Sequence, residues 1–227
     1  MHILGIGCSF TYGSELVAPQ SHWDQHVENI SYREQHVWLG RLAQHYGATY
    51  DNRAQPSASN MYIWQALCEY IQQNPTPQDD LLIAIAWTST DRMSWYHDDA
   101  QRWVHSGFVR FNDNPHPADA CFRNSTVEWI KHSLGNQAQW DVSLRMSTNA
   151  LLEQYGARYV QFNALPFDSK TKYPKFRNTY FGTNSMSNWL MENYGTDVFA
   201  KGQHPNEQGH QLFAKKLIPY LDAKILR

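Results

Sequence analysis

Leu81-Leu82-Ile83-Ala84-Ile85-Ala86-Trp87 is an uninterrupted apolar run of strand length, introduced by Asp79-Asp80. A strand that is apolar at every position needs cover on both faces, the condition of a central strand in a parallel sheet. Outward from it, residues 2–7 (HILGIG) read as a short buried strand ending in glycine. Residues 48–51 read as a second short strand, and residues 158–163 (RYVQFN) as another.

Helical patterns lie between these runs. Residues 33–46 follow a helical period through Val37, Leu42 and Tyr46, with Gly47 as the stop. Ser59 or Asn60 caps a helix that carries Ile63, Trp64, Leu67, Cys68 and Ile71 on one face and ends at Asn74-Pro75. Further helices are expected over 125–134, over 141–155 with Gly156 as the stop, and over 185–194. A terminal helix from Asn206 to about Leu226 has Leu212, Phe213, Leu217, Tyr220 and Leu221 as its apolar stripe. Residues 14–32 and 166–184 read as loops. Strands alternating with helices predict a three-layer α/β/α sandwich with a mostly parallel sheet. One domain over 1–227, with an aromatic-rich insertion around 92–140, is the simplest organisation.

The 227 residues carry 19 Lys plus Arg against 21 Asp plus Glu, a formal charge of −2. That balance gives no basic surplus for nucleic acid. No stretch approaches the length of a membrane span, and no signal peptide precedes the first apolar run. The three cysteines, Cys8, Cys68 and Cys121, have no framework spacing, so reduced thiols and a cytoplasmic setting are expected. The chain is rich in Trp, Tyr and Phe. Most of these rings are expected in the core, with some lining a cleft.

In an open parallel sheet, ligands bind at the carboxyl ends of the strands. Ser9 follows the first strand, residues 55–60 the second and residues 88–92 the third. His204 joins them if the last helix packs back beside the first strand. A serine and a histidine in that arrangement form a nucleophile and its base for acyl transfer.

The same residues resemble a known family. Gly7-Cys8-Ser9-Phe10-Thr11-Tyr12-Gly13 is similar to the first block of the SGNH (GDSL-type) hydrolases. Asn52-Arg53-Ala54-Gln55-Pro56-Ser57 resembles their second block, with Ser57 at the position of a glycine whose amide faces the oxyanion. Trp87-Thr88-Ser89-Thr90-Asp91-Arg92 falls where the third block belongs, without its asparagine. His204-Pro205-Asn206-Glu207-Gln208-Gly209-His210 is similar to the last block. The resemblance implies a flavodoxin-like sheet and a cofactor-independent esterase or carbohydrate O-deacetylase. Ser9 would be the nucleophile and His204 the base. The amides of Ser9 and Ser57 would serve the oxyanion, with Asn60, Thr88 or Ser89 as side-chain donors. Similar short proteins are common in large tailed bacteriophages, so a viral source is implied too.

The departure is Lys201. It occupies the place, three residues before the histidine, where the family has the aspartate that fixes the imidazole tautomer. A lysine cannot accept that N–H. A backbone carbonyl leaving a Ser-His dyad, Asp197 from seven residues upstream, or a site that has lost activity are the three alternatives. The last would make the chain a glycan-binding or structural virion protein.

Other groups read more plainly. Cys8 reads as a small buried residue and His210 as a structural one. Asp91-Arg92 reads as an ion pair or loop anchor ahead of a substrate clamp. His22 with His26, and the loose group His97, Asp98, Asp99 and His105, show no third-ligand pattern, so no metal is expected.

Overall fold

Among the described residues the strands are, in chain order, β1 (His2–Ile6), β2 (Thr49–Asn52), β3 (Leu81–Trp87), β4 (Met93–His97), β5 (Arg102–Ser106) and β6 (Arg158–Asn163). The helices are α1 (Ser9–Tyr12), α2 (Val27–His36), α3 (Trp38–Tyr46), α4 (Asn60–Gln73), α5 (residues 138–155), α6 (Met186–Tyr194) and α7 (Glu207–Lys224). A 3₁₀ turn spans Gly195–Val198. The structure is a computed structural model and describes residues 1–17, 27–77, 79–98, 101–106, 138–166, 178–180 and 184–226.

The main sheet has the order β2-β1-β3-β6 and is parallel throughout. β3 is buried at all seven positions, as its unbroken apolar run requires. Leu4 of β1 stands between Asp51 of β2 and Ile83 of β3. The chain steps from β1 to β2 in one direction, then back across β1 to β3. Right-handed crossovers in opposite directions put α3 and α4 on opposite faces. α7 packs with α3. α5 joins α4, where Tyr155 donates to the Asn74 carbonyl at 2.7 Å. The direction reversal between β1 and β3 opens a crevice at their carboxyl ends.

The core between sheet, α3 and α7 is aromatic. Trp38 meets the rings of Phe162 and Phe213 edge-on, at centroid distances of 5.3 and 5.8 Å. All three side chains are fully buried. Truncating a ring of this kind to alanine costs roughly 3–5 kcal/mol.

The pattern reading differs from the structure at several places. The stretch expected as a loop over 14–32 already enters α2 at Val27. The helix expected over 33–46 breaks at Val37, whose ψ of 151° is extended. There α3 crosses so close to α2 that a Cβ on Gly40 would strike the Glu34 carbonyl. The α4 stripe is rotated. Tyr62, Ile63, Ala66, Leu67 and Tyr70 are buried, while Trp64, Cys68 and Ile71 are half-buried. The antiparallel β4–β5 hairpin lies inside the irregular region and had no periodic signal. The helix expected over 125–134, together with His22, His26 and Cys121, lies outside the described residues. Among the described residues no helix is long and apolar enough to cross a membrane.

His210 of α7 is fully buried. Its Nδ1 accepts from the Trp38 amide at 3.3 Å, one of the first amides of α3 that the helix itself leaves unbonded. Nε2 then carries the proton, and it has no hydrogen-bond partner among the described residues. Burial, with His204 and Arg41 nearby, pushes the His210 pKa down to about 3. A base whose folded pKa is depressed stabilises the fold above its unfolded pKa of about 6.5. That stabilisation is lost as pH falls toward 3, at roughly 1 kcal/mol per pH unit. Asp141, pushed up to about 6 by burial, titrates with the opposite sign in part of this window. The clean measurement is therefore a difference. Urea unfolding of the wild type loses stability between pH 6.5 and 5 more steeply than that of His210→Gln. Parallel curves would remove His210 from the acid response.

Candidate active site

β1 delivers its chain into a tight turn. Gly7 is required there because a Cβ would collide with the Thr11 side chain and crowd Ala86. The Cys8 carbonyl accepts from the amides of Thr11 and Tyr12, both at 2.9 Å, which winds residues 9–12 into α1 with Ser9 at its first position. Asn52, at the end of β2, donates to the Thr11 carbonyl at 3.0 Å and accepts from the Ala54 amide at 3.2 Å. Arg33 of α2 lies 3.9 Å over the Tyr12 ring and donates to its hydroxyl at 2.7 Å. The serine's turn is thus clamped from two sides. Ser9 is buried, and its Oγ makes no hydrogen bond among the described residues.

The closing loop is a small antiparallel turn. The Ala200 amide bonds to the His204 carbonyl at 2.8 Å, the Gln203 amide to the Ala200 carbonyl at 2.9 Å, and Gln203 takes a φ of 68°. Asn206 caps α7 by accepting from the Gly209 amide at 3.0 Å. His204 lies between these two fixed points. Its ring is 5.7 Å from that of Phe10, beside the serine.

The acceptor at His204 is Glu15, two residues beyond the first glycine-rich block. His204 Nδ1 and Glu15 Oε2 are 2.6 Å apart. An ionised carboxylate only accepts, so Nδ1 carries the hydrogen and Nε2 is the basic nitrogen of the neutral ring. The same carboxylate accepts from the Gly202 amide at 2.7 Å and the His204 amide at 3.3 Å. A Cβ at Gly202 would overlap the Glu15 carboxylate, so a larger residue there requires that carboxylate to move off its present contacts. Partial burial alone would raise the Glu15 pKa. The His204 side chain and the two amides outweigh it and hold the carboxyl below its ordinary value.

Asp197 does not reach the ring. It is exposed in the 3₁₀ turn, where its backbone carbonyl accepts from the Asn206 side chain at 2.7 Å. Lys201 stands exposed at the rim of the turn.

Ser9 and His204 line one cleft of about 880 Å³. Its walls come from the loops after four sheet strands: Phe10 after β1, Ser57 after β2, Ser89, Asp91 and Arg92 after β3, and Leu165 and Pro166 after β6. Met191 of α6 and Phe199 add apolar surface.

The four candidate oxyanion residues separate into two pairs. Ser57 and Ser89 line the cleft. Ser57 takes a φ of 60°, the left-handed conformation that glycine adopts most easily, at the position where the resembling family has glycine. Asn60 and Thr88 are turned inward. The Asn60 amide group donates to the Thr88 carbonyl at 3.1 Å and to Asp141 at 2.7 Å, while its oxygen accepts from the Thr88 amide at 2.8 Å. Both are buried, so Asn60 is a brace between β3 and α5.

The loop carrying Ser57 is held from outside. Ser94 Oγ accepts from the Ser59 amide at 3.0 Å and lies 2.7 Å from His105 Nδ1. His105 Nε2 lies 2.6 Å from Gln55 Oε1. A consistent network has Ser94 donating to Nδ1 and Nε2–H donating to Gln55, with the ring neutral. Burial, then the charge of Arg92, pushes the His105 pKa down to about 4. Among the described residues no group of three His, Cys, Asp or Glu side chains is placed to hold a metal.

The chain belongs to the family described as "Family of unknown function (DUF6071)", whose model matches residues 15–227. No curated protein sequence matches it. Among solved structures it is similar to the psychrotrophic esterase EstA from Pseudoalteromonas sp., with 10% identity over 98% of this chain and 97% of that one, at a TM-score of 0.48. It is similar to a carbohydrate esterase whose active site is described as having divergent catalytic and non-catalytic binding functions. That match has 14% identity over 98% of this chain and 65% of that one, at a TM-score of 0.45. It is also similar to a lipase/acylhydrolase from Enterococcus faecalis, with 11% identity over 99% of this chain and 96% of that one, at a TM-score of 0.44.

Proposed function

We propose that this member of the DUF6071 family is a serine hydrolase of the SGNH kind, acting on an ester such as an O-acetyl group on a carbohydrate. The observation that carries the reading is the 2.6 Å contact between His204 Nδ1 and the Glu15 carboxylate, in a cleft that Ser9 also lines. A carboxylate on Nδ1 leaves Nε2 unprotonated and stabilises the imidazolium once it forms. Such a contact, reached across the whole chain, gives Lys201 no part in orienting the ring.

In this mechanism Ser9 Oγ attacks the ester carbonyl as its proton passes to His204 Nε2. The carbonyl oxygen becomes an oxyanion facing the amides of Ser9 and Ser57, with Ser89, from the loop after β3, as the side-chain donor. Each donor of this kind is worth roughly 3–4 kcal/mol of barrier. Collapse breaks the bond to the alcohol, which leaves with the proton from His204, and the acyl group stays on Ser9. A water then repeats the sequence, releasing the acid and restoring the serine. No cofactor enters the balance.

A second reading draws on two specific observations. Asn60 and Thr88 are bound to each other, and Ser9 Oγ makes no hydrogen bond among the described residues. A silent domain of the same architecture, binding a glycan or building a virion, has the same features. Labelling with a fluorophosphonate separates the two. An activated serine forms the phosphonyl adduct on Ser9, located by peptide mass spectrometry. A protein that stays unlabelled under conditions that saturate a control serine hydrolase rejects the enzyme and leaves the binding domain.

A further inference from the structure

We infer that the cleft contains an anion subsite on Arg92, and that the ester substrate carries a carboxylate or phosphate beside its acyl group. This deepens the hydrolase reading and rests on it for the position of the reacting ester, but its test does not need turnover.

Arg92 follows β3 and lines the cleft. Its Nη1 is buried and has no hydrogen-bond partner among the described residues. The ion pair expected with Asp91 is not among the salt bridges of the described residues, although Asp91 lines the same cleft. A buried guanidinium nitrogen without an acceptor is costly to maintain. Among the described residues no neighbouring group relieves it. His105 feels the Arg92 charge but is itself committed to Ser94 and Gln55. The second cation of the lining, Lys201, is exposed.

A guanidinium presents its N–H donors in a planar fork that matches the paired oxygens of a carboxylate or phosphate. A neutral hydroxyl offers a single uncharged oxygen, with no second oxygen to match the fork. A ligand oxyanion on Arg92 supplies the missing acceptor and keeps the charge compensated in a half-enclosed site. Asp91 limits where that anion sits, because it repels any group that strays from the Arg92 fork along the same wall.

The test uses the full chain carrying Ser9→Ala. Isothermal titration calorimetry compares D-glucuronate, glucose 6-phosphate and glucose, at low salt and at high salt. The two anionic sugars are expected to bind at least about tenfold more tightly than glucose, the value of one charge-assisted hydrogen bond. The stronger of the two identifies the anion. Adding Arg92→Met abolishes the preference, and Arg92→Lys, which keeps the charge but not the fork, retains part of it. Equal affinities for the three sugars, no detectable binding of any, or a preference that survives Arg92→Met overturns the subsite. Failure of fluorophosphonate labelling with the anion preference intact would overturn the hydrolase and leave the subsite standing.

Discussion

Ser9→Ala abolishes hydrolysis of p-nitrophenyl acetate, and His204→Ala lowers it by a factor on the order of 10⁴ or more. The two losses do not add, because removing either group leaves the other with nothing to exchange a proton with. Both variants fold. Ser9 Oγ is bonded to nothing among the described residues, and His204 is held by a loop whose turn is built from backbone contacts at residues 200–204. Thermal unfolding within a few degrees of the wild type confirms that chemistry, and not structure, was removed. Three proteins of equal rate would end the proposal.

Glu15→Gln lowers kcat by about 10²- to 10⁴-fold with little change in KM, since Glu15 acts through His204 and is not placed to touch substrate. The carboxylate holds the ring tautomer and pairs with the imidazolium, and an amide does neither as well. The pH profile distinguishes this from simple damage. Glu15 is held below its ordinary pKa, so it stays ionised through the neutral range and its support is lost only as pH falls through that lowered value. Removing the charge moves the acid limb of the rate profile to lower pH, because the protonated ring loses its anionic partner. Asp197→Asn, by contrast, changes the rate less than about threefold, as expected for an exposed side chain away from the ring. The opposite ranking of the two variants would return the orienting role to Asp197.

The sheet is legible in the sequence because one central strand, β3, is a continuous apolar run. β3 is buried on both faces, and no polar periodicity competes with that reading. α4 and α7 are legible from their caps, since Ser59 and Asn206 each accept the amide expected of a helix start. The β4–β5 hairpin is not legible, because its strands, MSWYH and RWVHS, mix polar and aromatic residues without alternation. In the site, Ser9 and His204 carry local signals: a glycine-flanked turn and a Pro-Asn helix start. Glu15 has none. It lies in a polar stretch and matters only because a loop from the far end of the chain descends on it. The residue three before the histidine marks an orienter only if the intervening backbone turns it inward, and here the turn at Gln203 sends Lys201 outward. The clue available was indirect. A cation in the expected place is a reason to look for an acid elsewhere, and Glu15 is the first acid after the serine. Asn60 misled for a related reason. The resemblance implies a donor there, but its three side-chain hydrogen bonds lie on the core side.

The bond between Glu15 and His204 joins positions 189 residues apart. During translation the alcohol and the carboxylate leave the ribosome almost together, while the imidazole follows 189 residues after the carboxylate. A nascent chain therefore carries an inert half-site until that loop has emerged, and any reactivity switches on in a single event.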